Sequence, residues 1–170
     1  MKRLLLPLLL TLPLFALQTG KPLPALSLDG DEGGIVGGGA FDSDTLKGKV
    51  RVIFYVDPDE KDRNNAFSDA LKAAGFDRNR FGSVAVINLD ATWLPNFAIE
   101  HALKEKQKKF PDTLYVKDTH KKGVKTWQIA DDASDVIVVD KDGTVLYVRE
   151  GEVPAKDFDR VITIIREHLQ

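Results

Sequence analysis

The sequence predicts an α/β fold, a three-layer α/β/α sandwich built around a mixed sheet. Three observations carry this. The segments 50–56, 84–89 and 136–139 are near-continuous runs of β-branched and aromatic residues, the pattern of strands buried on both faces. Segments with helical periodicity lie between these runs and require a sheet covered on both sides. A glycine-containing turn then leads to a fourth run, and an amphipathic helix closes the chain. With 170 residues, 43% hydrophobic and 29% charged, the chain can build an ordinary single-domain core, which separates it from disordered and low-complexity sequences.

The elements follow in order. Lys2 and Arg3 precede an uncharged, leucine-rich run from Leu4 to Leu17. A basic start followed by an apolar core is the pattern of a secretory signal peptide. The core has 14 residues, fewer than the roughly 20 that span a bilayer as a helix, and Pro7 and Pro13 disfavour a regular membrane helix. Residues 1–20 are therefore expected to be removed, with the junction after Ala16 or within Gln18–Gly20, leaving residues 21–170 as one domain. Their loss takes away two bases and no acid, moving the net charge from −2 to −4. The expectation is a periplasmic or secreted product with no stable membrane anchor. The absence of cysteine removes disulfides, thiol nucleophiles and cysteine-bound metals.

Between the first two strands, Ala66, Phe67, Ala70, Leu71 and Ala74 form one helix face, and Gly75 supplies a left-handed cap. A second helix is predicted to open near Pro95 and Asn96, with Phe97, Ile99, Leu103 and Phe110 among its apolar positions. The segments 113–116 and 124–129 read as β-rich, a short hairpin or an edge strand. Asp140-Lys141-Asp142-Gly143 reads as a hairpin turn into a strand over 144–148. A last helix starts at Pro154 and buries Phe158, Val161, Ile162, Ile165 and Leu169. The order β-α-β-α-β-β-α after an N-terminal extension matches the thioredoxin-like fold.

The stretch from Thr45 to Val52, followed by Ile53-Phe54-Tyr55, resembles the entry into the first central strand of thioredoxin-like and peroxiredoxin-like proteins. More narrowly, Gly48 to Val52, Val136 to Gly143 and Arg149-Glu150-Gly151-Glu152-Val153 resemble the YtfJ family of exported Gram-negative proteins, and the segment from Pro154 to Leu169 continues the match. The resemblance implies a periplasmic thioredoxin-like domain and brings no defined activity with it.

Thioredoxins place a reactive Cys-x-x-Cys at the first strand–helix junction, where the helix start lowers a thiol pKa. Here the junction reads Asp57-Pro58-Asp59-Glu60-Lys61-Asp62, with Asp59 and Asp62 near the two cysteine positions. Thioredoxins also carry a cis-proline before the third strand; the corresponding Ala133-Ser134-Asp135 contains no proline. Thiol–disulfide exchange and cysteine peroxidase activity are excluded chemically. Asp57, Asp59, Asp62, Ser134 and Asp135 form the candidate binding cleft. Acids at a helix start also cap it and suit its dipole, at about 0.3–1 kcal/mol each, and both readings stand. A calcium loop starting at Asp57 fails, because its fifth, sixth and twelfth positions are Lys61, Asp62 and Ser68. The glycines from Gly33 to Gly39 lack the context of a phosphate cradle and read as turns beside an N-terminal hairpin. The three histidines have no ligand spacing, no metal or cofactor is assigned, and Trp93 and Trp127 read as packing residues.

Charge is uneven. Residues 104–125 hold eight lysines against three acids, so Lys104, Lys106, Lys108 and Lys109 make a candidate basic face for an acidic partner or anionic headgroups, or simply a solvated helix face. Nucleic acid is a poor partner for a net-acidic exported chain without a recognition helix or an arginine–aromatic surface. Two functions compete. One is a non-catalytic module that binds a periplasmic protein or small ligand. The other is a non-redox enzyme, such as a hydrolase, using Asp57, Asp59 or Asp62 as acid–base groups.

Overall fold

A computed structural model describes residues 16–170. In chain order its regular elements are β1 (Ser27–Leu28), β2 (Gly33–Ile35), β3 (Phe41–Asp42), β4 (Val50–Val56), α1 (Asn65–Ala73), β5 (Phe81–Asn88), α2 (Asn96–Lys109), β6 (Thr113–Asp118), α3 (Lys122–Trp127), β7 (Ser134–Val139), β8 (Val145–Arg149) and α4 (Phe158–His168). Most of the leader expected over residues 1–20 lies outside the described residues. The chain meets the sheet at Gly20, whose N–H donates to the Val145 carbonyl at 2.8 Å. Among the described residues, no helix is long and apolar enough to cross a membrane.

Six strands form one sheet in the order β2-β6-β5-β4-β7-β8. β4, β5 and β6 run parallel, while β2, β7 and β8 pair antiparallel to their neighbours. The crossovers β4–α1–β5 and β5–α2–β6 step the same way across the sheet, so their right-handedness puts α1 and α2 on one face. α4 joins them there, packing Val161, Ile162 and Ile165 with Phe67, Leu71, Val136 and Val138. At roughly 1.5–3 kcal/mol for each large apolar side chain taken out of water, these contacts anchor both helices. On the opposite face Leu26, Leu28, Phe41 and Trp127 cover Ile53, Tyr55, Val84 and Val86. The result is the predicted α/β class with helices on both sides of a mixed sheet.

The structure differs from the sequence reading in several places. The segment 113–118 is an interior strand between β2 and β5, and 124–129 is mostly helix, so no hairpin or edge strand forms there. Helix wins because Gly123 and Trp127, one turn apart, both face Tyr55. A Cβ at Gly123 would overlap the Tyr55 ring, and the Trp127 indole meets that ring edge-on with centroids 6.1 Å apart. Trp127 is thus a packing residue, as expected, though on a helix. Trp93 is not, being 85% exposed. α2 buries Ile99 and Leu103, but Phe97 is 77% exposed and Phe110 lies beyond the helix end. Pro154 precedes a short 3₁₀ turn, and regular helix begins four residues later at Phe158. In the glycine run, Gly33 and Gly34 enter β2, where a Cβ at Gly33 would overlap the Lys117 carbonyl. Close strand approach demands glycine there, while β1 and β3 supply the neighbouring two-stranded pair.

Candidate functional site

The parallel strands end in a row of polar residues. Asn88 and Asp118 stand opposite each other at the ends of β5 and β6, and Asp57 follows Val56 at the end of β4. Side chains alternate along a strand, so Asp57 projects on the same side as Tyr55. Asp135 of β7 pairs directly with Tyr55 and shares that side. Asp57, Asn88, Asp118 and Asp135 are all buried. Ligands of open α/β sheets bind outside the carboxyl ends of the strands, which is where this row sits.

The acids occupy two kinds of environment. The Ala133 N–H donates to Asp57 Oδ2 at 2.6 Å, and the Asp57 N–H donates to the Ala133 carbonyl at 2.9 Å. Asp57 Oδ1 is buried without a hydrogen-bond partner. Burial pushes the Asp57 carboxyl up to about 6, although the nearby Asn88 amide and the Ala133 N–H draw it down. Asp135 repeats the pattern: Gly151 N–H donates to Oδ1 at 2.7 Å, and Oδ2 has no partner. Burial, with the Glu150 and Asp57 charges, raises its carboxyl to about 6 against the relief of the Gly151 N–H. Asp118, by contrast, accepts from Tyr55 Oη at 2.9 Å and from the N–H groups of Gly123, Lys122 and His120 at 2.6, 2.9 and 3.3 Å.

The residues picked from the sequence separate. Asp57, Ser134 and Asp135 are buried beside one another at the β4–β7 pairing, whereas Asp59 and Asp62 are exposed. Asp62 accepts from Asn65 and pairs with Lys61, which hold its carboxyl below the usual range. Neither Asp57 nor Asn64 makes a side-chain cap hydrogen bond at the following helical segment. Ser134 is tied down by buried Asn64, whose amide donates to the Ser134 carbonyl at 2.7 Å and to its Oγ at 3.1 Å. The four lysines of α2 are exposed. Helical spacing divides them, with Lys104 and Lys108 on one stripe and Lys106 and Lys109 on another. Lys104 and Lys108 pair with Glu100 and Glu105.

Sequence reasoning missed Asp131 and Asp132. One carboxylate oxygen from each of Asp57, Asp131 and Asp132 lies within 4.8 Å of the others. Lys121 Nζ bonds Asp131 Oδ2 at 2.8 Å and holds that carboxyl low. The available signal was position: Asp131-Asp132 directly precedes the region aligned with the thioredoxin cis-proline.

This architecture is a thioredoxin-like fold, and its first strand–helix junction carries carboxylates and no thiol. It resembles a peroxiredoxin-like protein from Aquifex aeolicus at a TM-score of 0.60 and 17% identity, covering 91% of this chain and 89% of that one. A thiol-disulfide isomerase from Corynebacterium glutamicum aligns at a TM-score of 0.59 and 18% identity, covering 84% and 96%. The model of the YtfJ family, described as a bacterial protein of unknown function, matches residues 32–168, and the chain belongs to that family. An uncharacterised protein YtfJ from Escherichia coli K12 is 25% identical over 98% of this chain and 94% of its own length.

Proposed function

We propose that the chain works after export to the periplasm as a non-redox binding module. Its binding edge is the polar row at the carboxyl ends of β4, β5 and β6, together with the loop before β7. The basic and apolar run from Lys2 to Leu17 supports export. The observation that carries the reading is the pair of buried acids, Asp57 and Asp135, each with one oxygen lacking a partner. Buried polar groups are normally satisfied, and those left open concentrate where a protein does its work. With no thiol in the chain, that work is recognition of a protein or small ligand. The enzyme reading retains Asp57 from its three acids, since Asp59 and Asp62 face solvent.

The test compares cross-linking capture from a periplasmic extract by wild type, by D57N/D135N, and by K104Q/K106Q/K108Q/K109Q. Loss of the captured species in the folded acid variant alone supports the reading. Loss in the lysine variant alone moves the surface to α2 and overturns it. Export is checked by N-terminal sequencing of the periplasmic protein, expected to begin at residue 17 or later.

A further inference from the structure

We infer that Asp57, Asp131 and Asp132 form a calcium-binding site at the end of β4. The inference rests on the same binding edge and names an ionic ligand for it. Two independent observations point there. Three carboxylates converge within 4.8 Å of one another. One of them, Asp57, is 2% exposed, and its Oδ1 is buried with no hydrogen-bond partner.

Charge and ligand chemistry select the ion. The one lysine that pairs with the trio, Lys121, bonds Asp131 and also reaches Asp90 at 3.5 Å, so three carboxylates share part of a single positive charge. Carboxylate oxygens are hard ligands that suit calcium, magnesium or manganese rather than thiophilic metals. Calcium tolerates flexible geometry, whereas magnesium demands a near-ideal octahedron and gives up its waters reluctantly, so one buried ligand joined by two exposed ones suits calcium. Buried Asp57 supplies a fixed ligand, while exposed Asp131 and Asp132 can close over the ion. This site is not the rejected loop of residues 57–68, because the partners of Asp57 come from more than seventy residues later.

The test is calorimetric titration of the mature chain with calcium chloride at pH 7.5, with amide shifts of Asp132 and Ala133 as a second readout. One site is expected, in the range of about 0.1–1 mM that weakly charged extracellular calcium modules show. D57N and the solvent-exposed D132N should each weaken binding at least tenfold. D69N should retain it, because Asp69 is an exposed acid of α1 outside the trio. K121Q should tighten it by removing the competing ammonium. The inference is overturned by absent heat and unmoved amides at about ten times that range, by undiminished binding in folded D57N or D132N, or by magnesium binding as tightly as calcium. Partner capture repeated in chelator separates the two readings. A chain that ignores calcium yet loses its partner in D57N/D135N keeps the binding edge and lacks only the ion.

Discussion

Asp118 and Asp135 are both fully buried on the same side of the sheet, and the molecule treats them in opposite ways. Asp118 receives four donors, which close the Tyr55 hydroxyl and the start of α3 around it. Asp135 receives Gly151 at one oxygen and nothing at the other, and Asp57 shares that state. A saturated buried carboxylate is a fastening, because each donor it serves would otherwise be stranded. A half-served one costs desolvation without returning it as structure. The difference separates the acid that builds the fold from the acids held ready for something else.

The largest expected effect comes from breaking the fastening. Asp118→Ala strands the Tyr55 hydroxyl and two tight backbone N–H groups, at a cost of about 3–5 kcal/mol. Thermal unfolding monitored by circular dichroism should then fall by about 10 °C or more. A smaller effect of opposite sign is expected at the open acids. Asp135→Asn retains an acceptor for the Gly151 N–H and removes a buried charge, so stability at pH 7.5 should rise by about 1–2 kcal/mol. A fall in the urea midpoint at that pH would place Asp135 among the fastenings.

The same contrast predicts a pH dependence. Asp135 titrates near 6 in the folded chain and near 3.9 when unfolded. Its raised folded value means the folded state holds the proton more tightly. The stability this contributes is complete below about pH 4 and is lost as pH rises through about 6. Urea midpoints measured from pH 4.5 to 7.5 should therefore decline less steeply in Asp135→Asn than in wild type. The smallest effect belongs to α2. Replacing Lys104, Lys106, Lys108 and Lys109 by Gln should leave the midpoint within about 0.5 kcal/mol, since exposed pairs contribute little.

The central sheet was readable because its strands are apolar on both faces. β4 spans Val50–Val56 as the residues alone imply. Helix periodicity likewise found Phe67 and Leu71 on α1 and Val161 and Ile165 on α4, where a strong apolar stripe must be covered. It failed at α2, since an apolar residue such as Phe97 shows its period but not whether anything packs over it. It failed at 124–129 because the decisive contact, Gly123 against Tyr55, is with a strand nearly seventy residues earlier. The acidic site was half legible for the same reason. Asp57 and Asp135 were visible from their places around the junction, but Asp131 and Asp132 become its neighbours only once β7 pairs with β4.

One consequence concerns the order in which the chain can be finished. The Lys21 carbonyl accepts from Val145 N–H, Leu23 N–H donates to Gly143, and the Trp127 indole donates to the Pro24 carbonyl. The first stretch of the domain is therefore completed by nearly its last strand. Closing a loop of more than a hundred residues costs about 4 kcal/mol of chain entropy beyond a constant. No shorter length of this chain can repay that cost at residues 21–24. Until residues 143–145 have been made, Gly20, Lys21 and Leu23 lack their backbone partners. The register of that leading stretch is thus set by topology rather than by local propensity, since its backbone partners lie more than a hundred residues further on.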